Sequence, residues 1–352
     1  MSEELRTAGP VAVRVTAHGP MTGLDPVEST RVVRGELGHP HLPHLVELPE
    51  RGVGADAVGR AVAILADLTA EVRPYGWRLT HRPGHEARRA VSLLKTDINV
   101  LGDVIGTEEA PGDELKIRVR GPLSLAKDLY LPSGERALRD HGARRDLADS
   151  LSVGLAEHIA AIRRAGPQRV TVHLDEPGLT EVLEGTVPTA SGYRTLRSVP
   201  RHELIQTLRG VSEGARAAGA AAVVLGTDAE ARSFGAIAEA IEASGIDSLA
   251  VPARRLDVHA WETLAGLVES GTGLWLGLLD VAAPYDELPG VTACVEQVRR
   301  PWRGLGLTDA QLSSVTLMPA DGFDGVAPEA VRAVLRRLHQ TADALSQVAV
   351  DS

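Results

Sequence analysis

Short runs of β-branched and aliphatic residues alternate with longer amphipathic stretches along almost the whole chain. The short runs are typical of strands in a parallel sheet that is buried on both faces. They are residues 11–15, 45–47, 76–79, 116–120, 169–174, 222–225, 248–251, 273–279 and 314–317. The longer stretches carry apolar residues at three- and four-residue spacing, which predicts helices. They are residues 56–70, 135–165, 201–218, 229–243, 257–270, 292–304 and 328–344, and Asp25 followed by Pro26 predicts a further helix start.

This alternation predicts an α/β protein built as a single (β/α)8 TIM barrel. Strands that alternate with helices over such a length indicate parallel strands joined by crossover helices. Eight or so such units in about 330 residues favour a closed barrel, with an open sheet of the same strands as the alternative. No linker or shift in composition divides the sequence, so we expect one domain over residues 1–352, with flexible tails at 1–10 and 347–352.

Composition and charge exclude several classes of function. Lys and Arg total 37 against 47 Asp and Glu, a net charge of −10, which argues against a general nucleic-acid binder. No run reaches the roughly 18 apolar residues of a membrane span, and residues 1–10 lack the apolar core of a secretory signal. The single cysteine, Cys294, excludes an internal disulfide and is expected to be a packed thiol. We therefore expect a cytoplasmic protein that acts on a small molecule, with its oligomeric state left open.

Polar residues directly follow most of the predicted strands. In a barrel, catalytic residues lie at the carboxyl ends of the strands, so these positions form the candidate site. They are His18 and Gly19, Glu47, Gly121, Asp175 and Glu176, Thr227 and Asp228, Asp280, and Asp321. The result is an acidic rim that contains few bases.

The most distinctive local motif is Asp175-Glu176-Pro177 at the end of the strand 169–174. Adjacent strand residues point to opposite faces, so one carboxylate enters the barrel mouth and the other leaves it. The inward carboxylate can hold an ammonium group or act as a general base. The alternative is that the two carboxylates serve as a helix cap and a surface ion pair.

Together with other segments, this motif resembles the C-terminal catalytic barrel of cobalamin-independent methionine synthase, in the short single-barrel form common in actinobacteria. The matching segments are residues 17–23, 35–60, 121–125, 175–177 and 188–190. The resemblance implies methyl transfer from 5-methyltetrahydrofolate, a possible co-substrate, to a thiol. It also implies that Asp175 and Glu47 hold an α-amino group and that the loop at Gly19 holds a carboxylate. Gly121 and Glu176 complete the substrate-binding residues that it suggests.

The sequence departs from this family at the zinc site. The family binds zinc through a His, two Cys and an acidic residue, but Gly226, Asp228 and Asp321 stand at the positions of the His and the two Cys. We therefore assign no metal ligands. Asp228 and Asp321 could bind Mg²⁺ or Mn²⁺, or share a proton as an acid–base pair, or be solvated loop residues.

Histidines add one further candidate. His18 follows the first strand and is either a general base or substrate contact, or a loop residue. Three histidines between residues 39 and 44 lie in a proline-containing stretch without a recognised ligand spacing, which favours a loop.

The resemblance and these departures give a functional expectation. We expect a methyltransferase-like barrel that methylates a thiol or another nucleophile of an amino-acid-like substrate without zinc, with Asp228, Asp321 and His18 as catalytic candidates. The alternatives are a metal-independent lyase or decarboxylase on the same type of barrel, and a non-catalytic relative that binds a ligand.

Overall fold

The computed structural model of the chain describes residues 13–228 and 231–351. Its nine strands are β1 (Arg14–Val15), β2 (Thr69–Arg73), β3 (Gly76–Thr80), β4 (Glu114–Arg120), β5 (Arg169–Asp175), β6 (Ala220–Gly226), β7 (Ser248–Pro252), β8 (Gly273–Leu279) and β9 (Val315–Pro319). Seven of them form one parallel sheet in the order β1-β9-β8-β7-β6-β5-β4. The curled parallel sheet and its surrounding helices confirm the α/β fold of TIM-barrel type.

The segment 42–47 spans the gap between the two edge strands of this sheet. Leu42 N donates to Val15 O in β1 over 2.9 Å. On the other side, Leu45 N donates to Lys116 O over 2.9 Å, and Lys116 N donates to Pro43 O over 2.8 Å. The predicted strand at 45–47 is therefore a set of isolated bridges that joins β1 to β4 around the ring.

Eleven helices in the described part of the chain connect these strands. They are α1 (Pro26–Glu36), α2 (Ala57–Ile64), α3 (His85–Ile105), α4 (Pro122–Asp128), α5 (His141–Arg164), α6 (Leu179–Glu184), α7 (Arg201–Ala217), α8 (Phe234–Ser244), α9 (Val258–Glu269), α10 (Val291–Gly304) and α11 (Pro328–Val350). None of the helices in these ranges is long and apolar enough to cross a membrane.

Alternate residues of the parallel strands pack on opposite faces of the sheet. One hydrophobic cluster fills the space between the sheet and the helices and extends along the chain from Val13 to Leu345. A second, smaller cluster faces the inside of the ring. It consists of Leu42, Val224, Ala250, Trp275 and Met318. The buried side chains of Lys116 and His173 contact Trp275 from β4 and β5, so the ring interior is partly polar.

Three expectations about elements were wrong. Residues 76–79 belong to the antiparallel hairpin β2–β3, in which Val72 pairs with Trp77, and not to the parallel sheet. The helix expected over 56–70 ends at Ile64, because its last residues form β2. Helix α11 continues through Val350, so residues 347–350 are helical and not a tail. The tail expected at 1–10 lies outside the described residues.

Candidate active site

A cavity of about 280 Å³ opens at the carboxyl ends of the parallel strands. Its lining residues come from the ends of β4 to β7 and of β9, and from the loop after β1, which is where a barrel places its functional groups. They are His18, Arg118, Arg120, Asp175, Pro177, Gly226, Thr227, Asp228, Ala250, Val251, Pro252, Arg255, Met318, Ala320, Asp321 and Gly322. The cavity is therefore lined by five of the candidate positions, His18, Asp175, Thr227, Asp228 and Asp321.

Asp175 is the last residue of β5, and its carboxylate is held by two arginines from the neighbouring strand β4. Arg118 Nη2 lies 2.7 Å and Arg120 Nη1 lies 2.9 Å from Asp175 Oδ2. The side chain of Asp175 is only 10% exposed. Both guanidinium groups therefore pair with the carboxylate of Asp175.

Glu47 reaches the same site from the other side of Arg118. Arg118 Nη1 donates to Glu47 Oε2 over 2.9 Å, so a single guanidinium joins Glu47 to Asp175. Glu47 Oε1 is buried and accepts no hydrogen bond from the described residues. The two carboxylates expected to surround a common site are thus brought together, but with an arginine already between them.

Gly19 makes room for Glu47. A Cβ at Gly19 would lie 2.4 Å from Glu47 Oε1, and its φ of +149° is a conformation that side chains rarely adopt. Gly19 O also accepts a hydrogen bond of 3.1 Å from Glu47 N. This glycine therefore fixes the position of the carboxylate beside it.

Glu176 points away from the cavity, as the alternation of strand side chains requires. Its carboxylate is fully buried and accepts hydrogen bonds from the backbone N–H groups of Leu123 (2.9 Å) and Ser124 (2.6 Å) in the first turn of α4. Gly121 packs against it, because a Cβ there would lie 2.4 Å from Glu176 Oε1. Burial raises the pKa of Glu176 to about 7. Neither Glu176 nor Gly121 is among the residues that line the cavity.

Asp228 and Asp321 line one side of the cavity, and each is paired with an arginine from the turn after β7. Arg255 Nη1 lies 3.6 Å from Asp228 Oδ2. Arg254 Nη2 lies 3.3 Å from Asp321 Oδ2, and Arg254 Nη1 contacts Asp280. Burial raises the pKa of Asp228, although Arg255 opposes that shift. The two aspartates therefore have guanidinium counter-charges.

These residues do not fit the zinc site that the family resemblance implies. Gly226 offers no side-chain donor, and Asp228 and Asp321 supply hard oxygen donors that already face arginines. Within residues 13–228 and 231–351, no group of three His, Cys, Asp or Glu side chains is arranged to hold a metal ion. The sole thiol, Cys294, is buried in α10 and hydrogen-bonds to Pro289 O over 3.7 Å.

His173 fills the space that a side chain at Gly226 would need. A Cβ at Gly226 would lie 2.1 Å from His173 Nε2. Both ring nitrogens of His173 are buried without a hydrogen-bond partner among the described residues. Burial therefore lowers the pKa of His173 well below its usual value, and the ring is neutral at physiological pH.

His18 lines the cavity beside these groups. Burial and the nearby Arg118 lower its pKa to about 3, so the ring is neutral at pH 7 and is a weak base. Its backbone carbonyl accepts a hydrogen bond of 3.0 Å from Lys116 Nζ, which also donates to Ala17 O. Lys116 thus holds the loop that carries His18.

Sequence reasoning missed the basic residues of β4. Lys116, Arg118 and Arg120 occur at every second position, so they share the inward face of one strand. That spacing was a usable signal in the sequence. Which carboxylates they meet depends on the strand register, in which Arg120 is opposite Asp175.

Solved structures with the same architecture include enzymes of methyl transfer. A B12-independent methionine synthase from Shewanella sp. W3-18-1, in complex with selenomethionine, superposes with a TM-score of 0.60 at 11% identity, covering 97% of this chain and 100% of that one. A methyltransferase from Methanosarcina mazei gives a TM-score of 0.51 at 12% identity, covering 94% of each chain. At these identities the likeness shows a shared barrel fold.

Sequence comparisons identify no family for this chain. No family model matches the chain, and no curated protein matches it. The function must therefore be argued from the cavity and its side chains.

Proposed function

We propose that this chain is a methyltransferase that transfers a methyl group to a nucleophile on a small, amino-acid-like acceptor without zinc. The observation that carries the proposal is the charged array at the carboxyl ends of the strands, in which Arg118 and Asp175 line the cavity and Glu47 binds Arg118. The similarity in fold to a methionine synthase that binds selenomethionine supports it.

The charged array suits an acceptor that carries charges of both signs. Both hydrogen bonds to Asp175 end on Oδ2, and Oδ1 accepts none from the described residues. Oδ1 can therefore accept a hydrogen bond from an acceptor's ammonium group, while the guanidinium groups of Arg118 and Arg120 offer donors to its carboxylate.

Asp228 is the best candidate for the general base. Its raised pKa makes it a stronger base than an ordinary carboxylate, whereas the lowered pKa of His18 makes that ring a poorer one. In the proposed step Asp228 takes the proton of the acceptor nucleophile, a bond forms from that nucleophile to the methyl carbon, and the bond from the methyl carbon to the donor breaks. The donor nitrogen then receives a proton. The resemblance of the sequence to its family suggests 5-methyltetrahydrofolate as the donor.

A methyl-transfer assay tests this proposal. Purified protein treated with a chelator is incubated with 5-methyltetrahydrofolate labelled in the methyl group and with homocysteine or related thiols. We expect labelled thioether to form in the wild type and to be lost in Asp175→Asn, while the exposed-site control Asp149→Asn retains the activity. No transfer to any acceptor, or transfer only after zinc is restored, would contradict the proposal.

A metal-independent lyase or decarboxylase is the second candidate. The observation that favours it is that three arginines, Arg118, Arg120 and Arg255, line the cavity and can bind a polycarboxylate. Release of carbon dioxide from such an acid, without any methyl donor, would distinguish this candidate from a methyltransferase.

A further inference from the structure

The strongest unexplained feature of the cavity is the position of Arg118. We propose that Arg118 takes the place of a ligand's ammonium group between Glu47 and Asp175, so that the site recognises the carboxylate of its ligand and does not require an amino group. This inference rests on the proposed function for identifying the ligand as the methyl acceptor, and it makes a binding prediction of its own.

The geometry gives Arg118 the role of a built-in cation. Its guanidinium lies 2.9 Å from Glu47 Oε2 and 2.7 Å from Asp175 Oδ2, and its side chain is 13% exposed. An incoming ammonium group that took both carboxylates would leave this guanidinium buried and unpaired. Separating a buried ion pair is unfavourable, so a simple amine is a poor competitor for the site.

The hydrogen-bond donors of the site exceed the acceptors available to them. A guanidinium carries five N–H donors, and the side-chain bonds of Arg118 use two of them. Arg120 binds Asp175 through Nη1, and its Nε lies 3.4 Å from Asp128 Oδ2, which leaves other N–H groups of its guanidinium unused. Two arginines with unused donors on one cavity wall suit a ligand group rich in acceptors, and a carboxylate is such a group.

The other charged groups of the site also favour a ligand whose carboxylate binds Arg118 and Arg120. Asp228 and Asp321 are already paired with Arg255 and Arg254. Lys116 is buried and donates to Ala17 O and His18 O. A ligand carboxylate placed at Arg118 and Arg120 would thus be held by two fixed cations.

Three ligands that differ by one group each test the inference. They are L-methionine, 4-(methylthio)butanoate, which lacks the amino group, and 3-(methylthio)propylamine, which lacks the carboxylate. Isothermal titration of chelator-treated wild type is expected to give dissociation constants for the first two within about tenfold of each other. The amine should bind about 10- to 100-fold more weakly, the difference made by one or two charge-assisted hydrogen bonds.

Arg118→Met should reverse this preference. It removes the built-in cation, so Glu47 and Asp175 become available to an ammonium group, and the amine should then bind more tightly than the butanoate. Arg118→Lys keeps the positive charge but loses the paired N–H donors of the guanidinium, so it should weaken butanoate binding without improving amine binding. Arg145→Met, at an arginine whose side chain is 67% exposed on α5, is the matched control and should behave as wild type.

Binding of the three ligands to the wild type tests the inference even if Arg118→Met does not fold. Equal or tighter binding of the amine than of the butanoate, or no binding of either carboxylate ligand, overturns the inference. A carboxylate preference in a protein without methyl transfer would leave this inference standing and would contradict the proposed function.

Discussion

At the scale of single residues, Gly226 ends β6 where a side chain would collide with its neighbour. The buried ring of His173 comes within 2.1 Å of the Cβ position at this residue. Gly226→Ala is expected to lower the free energy of unfolding by about 1–3 kcal/mol, since the packed ring interior must shift to accept the methyl group. Urea denaturation of the variant and the wild type measures this change.

Gly210→Ala is the matched control for that substitution. Gly210 lies exposed within α7, and its Cβ would meet nothing within 4 Å. Alanine there should raise the free energy of unfolding by about 0.5–1 kcal/mol, because it reduces the entropy lost on forming the helix. If Gly226→Ala were as stable as the wild type, His173 would not occupy the place described here.

A second prediction at this scale concerns Asp228. Asp228→Asn removes the proposed base, so it should lower kcat by about 10²- to 10⁴-fold while leaving the binding of methionine nearly unchanged. In the wild type, kcat should fall as the pH drops through the raised pKa of Asp228, because protonation removes the base. Steady-state kinetics from the acidic range up to pH 8 give both results, and an unchanged kcat in the variant would exclude Asp228 as the base.

The residues of the site show what the sequence could and could not predict. His18, Asp175, Asp228 and Asp321 line one cavity, because each comes after or at the end of a strand that the sequence predicted. The role of Arg118 was missed, because its partners Glu47 and Asp175 come from other parts of the chain. Long-range pairs of this kind depend on strand register, which a single sequence does not show.

At the scale of elements, helix α1 begins as its sequence predicts. Asp25 Oδ1 accepts hydrogen bonds from Val27 N at 2.8 Å and Glu28 N at 3.4 Å, and Pro26 is the first helical residue. Asp25→Ala should therefore lower the free energy of unfolding by about 1 kcal/mol, measured by urea denaturation. Asp103→Ala, at an exposed interior position of α3, should be neutral or slightly stabilising. Equal effects of the two substitutions would contradict the capping role.

The hairpin β2–β3 explains why one element was misread. Residues 76–79 have the composition of a buried strand, and Trp77 is indeed buried. However, β3 pairs antiparallel with β2. The first residues of β2 follow α2 in the sequence and continue its apolar spacing, so they were predicted as part of that helix. Short apolar segments do not distinguish helix from strand by their periodicity, so tertiary pairing decided the outcome.

At the scale of the whole molecule, buried histidines make the fold sensitive to acid. Burial lowers the pKa values of His18, His44 and His158 to about 3, and it lowers that of His173 well below its usual value. The unfolded chain binds these protons near pH 6.5, so these histidines lose stability for the fold as the pH falls from about 6.5 towards 3. Glu176, with a raised pKa, has the opposite effect between about 4.5 and 7.

His158 tests this pH dependence away from the cavity. His158→Gln should reduce the stability lost between pH 7.5 and pH 5.5 by about 1.4 kcal/mol in total, because one group with an unfolded pKa near 6.5 titrates across this interval. Urea denaturation at pH 7.5 and pH 5.5 measures the difference. His202→Gln, at an exposed histidine of α7, should leave the pH dependence unchanged, and an equal effect of both variants would contradict the assignment to burial.

The closed path of the strands is the feature of the whole molecule that the sequence predicted best. Alternating strands and helices were enough to indicate a barrel, and the parallel pairs from β4 to β9 and on to β1 have that order. The irregular segment 42–47 was recognised only as a short strand, because it contains Pro43 and pairs with its neighbours through isolated bridges. It matters for the site because it carries Glu47 to Arg118.

A crystal structure of the chelator-treated protein with bound L-methionine tests the central claim most directly. We expect the methionine carboxylate within hydrogen-bonding distance of Arg118 or Arg120, the thioether sulfur directed towards Asp228, and no anomalous signal at the zinc absorption edge. Methionine bound elsewhere on the molecule, or a zinc ion coordinated in the cavity, would contradict the account.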